Sequence, residues 1–575
     1  MKDRIKYLNL VLFLIAILGS VFFITNFFID RYYVMQSMWL LFVMVVNAFI
    51  IMALDDSVNK YTLFFILFIS IILLFYYLFI PFFQGDLITI CLTFVFIRFF
   101  IENLKQELSL KISLLYSGLS ILGFIEVLWG MWQSFHLLLV YDTYYLITGT
   151  FDNPVGFAIC VSALSPFCLF LVSSYSKYVR VSGWIFLFLS FCSILLSGSR
   201  AGILAILSVL VVHFYIFYLK HKMYGQYKNQ IMCAIVLIFG CVFLGLYYFK
   251  KDSADGRLLI WRVTWDMIKD SPLIGHGSGS FQAKYMLYQA DYFRLYPNSH
   301  FAQLADNVSH PFNEFLKIAA EYGCLGLIIL FFLIGKGIYI FKRNTNIMKY
   351  PVIESIIAIV VCACFSYPLK YPVTWGILGL AISVICVKQE RYFRLHIPYI
   401  RYFGMGISLY FIFLLLQHVS AEMKWKKIVD RSFLGETEQV LPFYEQLRGE
   451  LGTNGLFLYN YAAELHVMKS YDKSIELLTE CILYWNDYDV QLLLADCYLQ
   501  KEQYEKAKDC FVLASNMCPN RFIPLYQLVH LYDQIGQKEK AYDLAEKIIH
   551  KTVKISSFKV QRIKNEMIEY VQKGI

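Results

Sequence analysis

A few polar side chains stand out in a chain that otherwise reads as lipid-soluble. "SGSRAG" (Ser197–Gly202) sets Arg200 between two apolar runs. "GRLLIWRVTWDMIKDSPLIGHGSGSF" (Gly256–Phe281) sets Arg257 one turn before Trp261. "SHPFNEFLKIAAEYGCLG" (Ser309–Gly326) sets His310, Asn313 and Glu314 at the start of a membrane-length run. Guanidinium groups offer planar, bidentate donors to oxyanions, and an imidazole can take a proton near neutral pH. Each residue also has an ordinary reading. Arg200 can snorkel at a span end, Arg257 can be a surface charge, and His310 can satisfy a buried helix end. Asn313 and Glu314 can be first-turn residues, the carboxylate favoured there by the helix dipole. Their occurrence on one side of the membrane lifts the set above those readings. His276 and His300 are rival bases, and Glu314 a weaker one.

The elements that must position these groups are membrane helices. The chain has 575 residues, 59% hydrophobic and 16% charged, with a mean hydropathy of +0.57. A soluble domain carries about 25% charge. The formal charge of +9 does not mark a nucleic-acid binder, because the basic residues lie between apolar runs, the pattern of topology signals. No Cys or His cluster has zinc spacing, so no structural metal is expected. Whether Cys481, Cys497, Cys510 and Cys518 pair is left open. No small-residue cleavage site follows the first apolar run, which reads as a retained helix.

Runs long enough to span a bilayer number about twelve to thirteen. They centre near Phe13, Met44, Ile71, Val95, Ile121, Ser162, Leu187, Leu207, Val236, Leu327, Ile359, Leu378 and Leu409. With a cytoplasmic N-terminus, alternate connections carry Lys2/Arg4/Lys6, Lys60, Lys105/Lys111, Lys177/Arg180, Lys220/Lys222/Lys228, Lys342/Arg343/Lys349 and Lys388/Arg391/Arg394/Arg401. The opposite short loops hold Arg31, Arg200 and Lys370. Loops rich in Lys and Arg stay cytoplasmic, so an odd number of spans puts the C-terminal tail outside the cytoplasm. The long segment from about 250 to 312 lies there too. Leu258, Trp261, Trp265 and Ile268 recur at helical spacing within it, an amphipathic helix ended by Pro272 whose apolar face suits a lipid boundary. Gly275, Gly277 and Gly279 allow a tight loop with exposed amides.

Two domains follow: residues 1–419 as the membrane domain and 420–575 as a soluble tail. In the tail, "YDKSIELLTE" (from Tyr471), "YEKAKDCFVL" (from Tyr504) and "KEKAYDLAEK" (from Lys538) recur at a period of about 34 residues, the tetratricopeptide value. Ser474, Ala507 and Ala541 hold the small-residue slot where paired helices touch. About three such repeats cover 455–554, and stacked repeats make a superhelix with a concave face. A plain helical bundle is the alternative. The expected fold class is all-α: a polytopic membrane bundle with a long external loop, then a C-terminal α-solenoid.

Over roughly 150–390, "SGSRAG", the Arg…Trp…PLIGxGxGxF helix and "HPFNEFLKIAAEYGCLGL" resemble the O-antigen ligase and polymerase superfamily of bacterial inner-membrane glycan transferases. The histidine segment reads His-Pro-Phe-Asn, where family members often have His and Asn adjacent. The resemblance implies a glycan donor on a polyprenyl diphosphate and an acceptor hydroxyl on a glycan, lipid or protein. It further implies a periplasmic active face in the inner membrane, with Arg200 and Arg257 on the leaving diphosphate and His310 as base. Asn313 and Glu314 are supporting residues, and no metal or cofactor is expected. Lipid A core transfer (ligase), chain extension (polymerase) and protein glycosylation remain alternatives. More distant are a lipid-linked glycan transporter, which would show internal repeats among its spans, and a membrane-anchored scaffold, which leaves the three polar groups unexplained. Membrane lipid is a partner in every case, and the repeats offer a surface to a glycan or a protein partner.

Overall fold

The computed structural model describes residues 2–54, 58–59, 108–135, 145–172, 176–216, 227–343, 349–386, 394–395 and 399–573. It is all-α apart from a two-residue antiparallel pairing of Val58–Asn59 with Arg394–Leu395. The helices are α1 (Lys2–Phe22), α2 (Tyr33–Leu54), α3 (Leu108–Ser134), α4 (Pro154–Val172), α5 (Lys177–Ser197), α6 (Arg200–Phe214) and α7 (Lys228–Phe249). Then come α8 (Lys251–Asp270), α9 (Ser280–Leu295), α10 (Glu314–Arg343), α11 (Tyr350–Phe365), α12 (Pro372–Cys386) and α13 (Ile400–Phe433). The tail holds α14 (Thr437–Leu451), α15 (Gly455–Val467), α16 (Tyr471–Cys481), α17 (Tyr488–Gln500), α18 (Tyr504–Met517), α19 (Ile523–Gln534), α20 (Lys538–His550) and α21 (Phe558–Lys573).

Among the described residues, six helices are long and apolar enough to cross a membrane, within α3, α4, α5, α7, α10 and α13, and five shorter apolar ones lie in α1, α2, α6, α11 and α12. Together they account for every expected centre except those near Ile71 and Val95, which lie outside the described residues. This is a multi-pass membrane protein.

The chain divides into two compact units. The first comprises 1–246, 312–314 and 328–423; the second comprises 247–311, 315–327 and 424–575. At the centre of the first unit is α4, packed on α3, α5, α6 and α11. Its sequence, PVGFAICVSALSPFCLFLV, has no charge and several small residues. In lipid, small residues let helix backbones approach closely. A Cβ added at Gly202 of α6 would stand 2.5 Å from the Ala158 Cβ. Pro166 within α4 donates no hydrogen bond to the carbonyl four residues back. The Ser165 hydroxyl donates to that carbonyl, Ser162 O, at 2.9 Å, so the backbone acceptor stays satisfied. By contrast, the apolar windows of α7 and α10 turn outward along their length, as helices facing lipid should.

In the second unit the tail forms three antiparallel helix pairs, α15/α16, α17/α18 and α19/α20, each packed on the next. Ser474, Ala507 and Ala541 are all 0% exposed, because a larger side chain there would push the helices of a pair apart. Cys481, Cys497, Cys510 and Cys518 are free thiols.

The tail is fastened to the 247–311 segment within this unit. Helix α9 packs on α18, and the buried Gln289 amide donates to Met517 O at 2.7 Å and Asp306 O at 3.1 Å. The Asn307 amide reaches Asp487 and Asp489, both at 3.1 Å. Asn520 donates to Ala305 O at 2.7 Å, and Arg521 pairs with Asp306 at 2.7 Å while stacking on Tyr488.

Asp487 also caps α17 through the Asp489 and Val490 amides. Burial pushes its carboxyl up to about 6, while the Val490 amide pulls the other way. The folded chain therefore holds this proton more tightly than the unfolded chain. The resulting stabilisation is full below about pH 4 and is lost as pH rises through 6, by about 2–3 kcal/mol for this group. Asp487→Asn, which can still cap a helix, is expected to shift the unfolding temperature of the detergent-purified chain more favourably at pH 7.5 than at pH 4.5, because only at the higher pH does it remove a buried charge. An equal change at both values would show that the Asp487 proton is not linked to folding.

Candidate functional site

Arg257 and His310 both belong to the second unit. Helix α8 starts at Lys251, with Asp252 in its first turn, so Arg257 sits inside the helix. The buried face runs through Leu259, Ile260, Val263, Thr264, Met267 and Ile268. Of the stripe expected from periodicity, only Ile268 is in it; Leu258 and Trp265 are 45% and 54% exposed. Trp261, one turn after Arg257, donates its indole N–H to Pro311 O at 2.9 Å. Residues four apart share a helix face. That bond therefore holds the Pro311 carbonyl, one residue after His310, to the face of α8 that carries Arg257. His310 is half-buried in the non-helical stretch before α10.

The rival histidines have local structural explanations. His276 sits with Nε2 2.8 Å from Met267 O and Nδ1 3.5 Å from the Lys284 ammonium, which occupies both ring nitrogens. The His300 ring lies on Phe301 in an exposed 3-10 turn.

The glycine-rich loop does something other than expose amides. Gly323 breaks α10 with φ 63 and ψ −164, and the loop's backbone fills the break. Cys324 N donates to Pro272 O at 2.8 Å and Leu325 N to Leu273 O at 3.1 Å. In return His276 N donates to Ala320 O at 3.0 Å and Gly277 N to Glu321 O at 2.9 Å. A Cβ at Gly275 would come within 2.4 Å of the Glu321 carbonyl carbon, and one at Gly323 within 2.3 Å of Leu273 O. Only glycine permits that approach at these positive φ values. The motif clamps α8 to the first turns of α10.

In the first unit the expected residues gather at one end of the bundle. Arg200 opens α6, whose start is capped by Ser199 and packed on Ala158 through Gly202. The Cys362 thiol faces Ala201 O at 4.0 Å. Asn313 donates to Cys364 O at 3.1 Å, and the buried Glu314 accepts from Leu369 N at 3.0 Å. Both therefore act as braces. Between Pro311 and Asn313, Phe312 is held at φ 54, a left-handed conformation costing a bulky residue about 1–3 kcal/mol. The Asn313 and Glu314 hydrogen bonds hold the backbone that follows Phe312.

The polar stretch "GTFDNPVGFA" (Gly149–Ala158), at the start of a span on the side expected to face away from the cytoplasm, brings Asp152 and Asn153 to Tyr367, Lys370 and Tyr371, a grouping with no sequence motif of its own. Lys370 pairs with Asp152 at 2.7 Å. Tyr371 donates to Asp152 at 3.1 Å, and the Asn153 amide reaches the Tyr367 and Tyr371 hydroxyls at 3.2 and 3.1 Å. The Asn153 carbonyl oxygen caps α4. Burial works against the Lys370 ammonium, but the Asp152 carboxylate outweighs it and the pKa ends above the ordinary lysine value. The available signal was Lys370 itself, one of few basic residues assigned outside the cytoplasm.

Residues 185–331 match the family model of the O-antigen ligase. The matched segment is roughly a quarter of the chain. It contains Arg200, Arg257, His310, Asn313 and Glu314, and excludes Asp152, Lys370 and the tail. The likeness supports a ligase- or polymerase-type membrane glycan-transfer family. No curated protein matches the chain.

Gly323→Ala is expected to destabilise the chain by more than about 1 kcal/mol, read as a lower unfolding temperature in detergent. Gly335→Ala in the same helix, where an added Cβ meets nothing within 4 Å, should be neutral or stabilising. Equal behaviour of the two would contradict the clamp.

Proposed function

We propose that this chain is a membrane glycan transferase of the O-antigen ligase type. It moves a glycan from a polyprenyl-diphosphate carrier to an acceptor hydroxyl, of lipid A core or a similar molecule, on the periplasmic side of the inner membrane. The observation that carries the reading is the indole-to-carbonyl bond that sets the His310 segment against the Arg257 face of α8, inside the segment matching the ligase family.

In this reaction the acceptor oxygen attacks the anomeric carbon while His310 takes its proton. The bond from that carbon to the diphosphate oxygen breaks, and the electron pair leaves with the diphosphate. Arg257 and Arg200 receive the charge that grows there, where planar donors fit phosphate oxygens in pairs. Diphosphate is a weak base, so no general acid is required, and two guanidinium groups supply the counter-charge a divalent cation would otherwise bring. A single displacement inverts the anomeric configuration. Asn313 and Glu314 support the site by fixing the backbone that follows His310. The tail, a tetratricopeptide-like solenoid in this reading, acts by bracing the 247–311 segment.

Transfer is measured in membranes from a strain lacking its own copy, with accumulation of each variant checked. His310→Ala should lower the rate by about 10²–10⁴-fold. Arg257→Lys, which keeps the charge and loses the fork, should lower it by about 10–10²-fold. Chelation by EDTA should leave the wild-type rate unchanged. Transfer at the normal rate by His310→Ala would remove it from the mechanism, and loss in EDTA restored by magnesium would contradict metal independence.

A further inference from the structure

The Asp152–Lys370 pair has no part in the reaction above, and its chemistry differs from that of the arginines. An ammonium carries three donors and a carboxylate about four acceptor sites. Lys370 gives one hydrogen bond to Asp152, and Asp152 accepts from Lys370 and the Tyr371 hydroxyl. Adjacent donor and acceptor capacity remains, on side chains 25% and 29% exposed. The ammonium also lies 5.9 and 5.8 Å from the Tyr367 and Tyr371 ring centroids.

A structural strut is the plain alternative, but this connection is already tied without the lysine. Tyr371 holds Asp152, Asn153 holds both phenols, and Glu314 and Trp375 hold the backbone of Leu369. Nor does the pair suit a diphosphate, because the carboxylate cancels the ammonium and would repel phosphate oxygens. A sugar hydroxyl fits better: it both accepts and donates, so one hydroxyl can take a hydrogen bond from Nζ and a neighbour can give one to Oδ1. The half-buried Tyr367 hydroxyl stands alongside as a third polar tip, and its ring offers an apolar face.

We propose that Asp152 and Lys370, with Tyr367 beside them, form a subsite that binds a glycan through a pair of adjacent sugar hydroxyls. The subsite rests on the glycan-transfer reading and adds a substrate-recognition element to it. The pair discriminates among sugars by hydroxyl position, since a ring lacking one partner leaves a half-buried charge poorly satisfied. Either the donor glycan or a glycan acceptor can supply such a diol.

The test uses full-length Lys370→Met and Tyr367→Phe in the same membranes. Initial rates are taken against donor and, separately, against acceptor. Lys370→Met should raise KM for one of the two by about 10–100-fold, with kcat within about 3-fold. Tyr367→Phe should move the same KM by a smaller factor. Which KM moves identifies the glycan bound. A lower unfolding temperature with both KM values unchanged would overturn the proposal in favour of a strut. Weaker inhibition of Lys370→Met by sugar-free polyprenyl diphosphate would overturn it in favour of a phosphate site. If even the wild-type chain shows no transfer, the functional reading fails first, and binding decides the subsite. The oligosaccharide released by mild acid from the source strain's surface glycan should perturb Trp fluorescence of the purified wild-type chain and not of Lys370→Met. Equal titrations, or no response in either, would sink it.

Discussion

One hydrogen bond sets the geometry on which the chemical account depends: the Trp261 indole to the Pro311 carbonyl. Proline fixes φ and cannot donate, so the chain before α10 is held there through its carbonyl. The bond fixes the Pro311 carbonyl, next to His310, against α8, and the glycine clamp fixes α8 against the break in α10. Phe312 then takes a left-handed conformation, held by the braces at Asn313 and Glu314. A histidine on a loop is ordinarily mobile. Here the backbone on both sides of it is tied to helices.

The tail extends the same logic. Repeats are usually considered as open surfaces for a partner, yet α18 is already covered by α9, and the side-chain N–H donors of Gln289, Asn307 and Asn520 are spent within the unit. Those amides sit where an unpaired group would be costly, which makes the docking specific in register. In the proposed reading, the packed helix pairs of the tail brace the segment that carries Arg257 and His310.

Much of this was legible in the sequence because hydropathy and the Lys/Arg bias are strong signals in membrane chains. The apolar helices and the small-residue slots at Ser474, Ala507 and Ala541 follow from pattern alone. Other features depend on contacts between distant segments. Periodicity located α8 and an apolar stripe on which Leu258 and Trp265 are exposed, whereas the buried face through Leu259, Ile260, Val263 and Met267 is a different one that the stripe does not mark. The glycines of "PLIGHGSG" read as a loop exposing its amides, whereas the amides of His276 and Gly277 are engaged by α10. The Asp152–Lys370 pair joins residues more than two hundred positions apart, and no local motif announces such a partnership.

The most direct test of the central claim is the rate of glycan transfer by Trp261→Phe, which keeps most of the aromatic bulk and removes the donor. If the indole bond sets His310 for proton removal, kcat should fall by about 10–100-fold, since small misplacement of a reacting group costs up to about 10²-fold. KM for the lipid-linked donor and the unfolding temperature should change little. Transfer at the wild-type kcat would contradict the account.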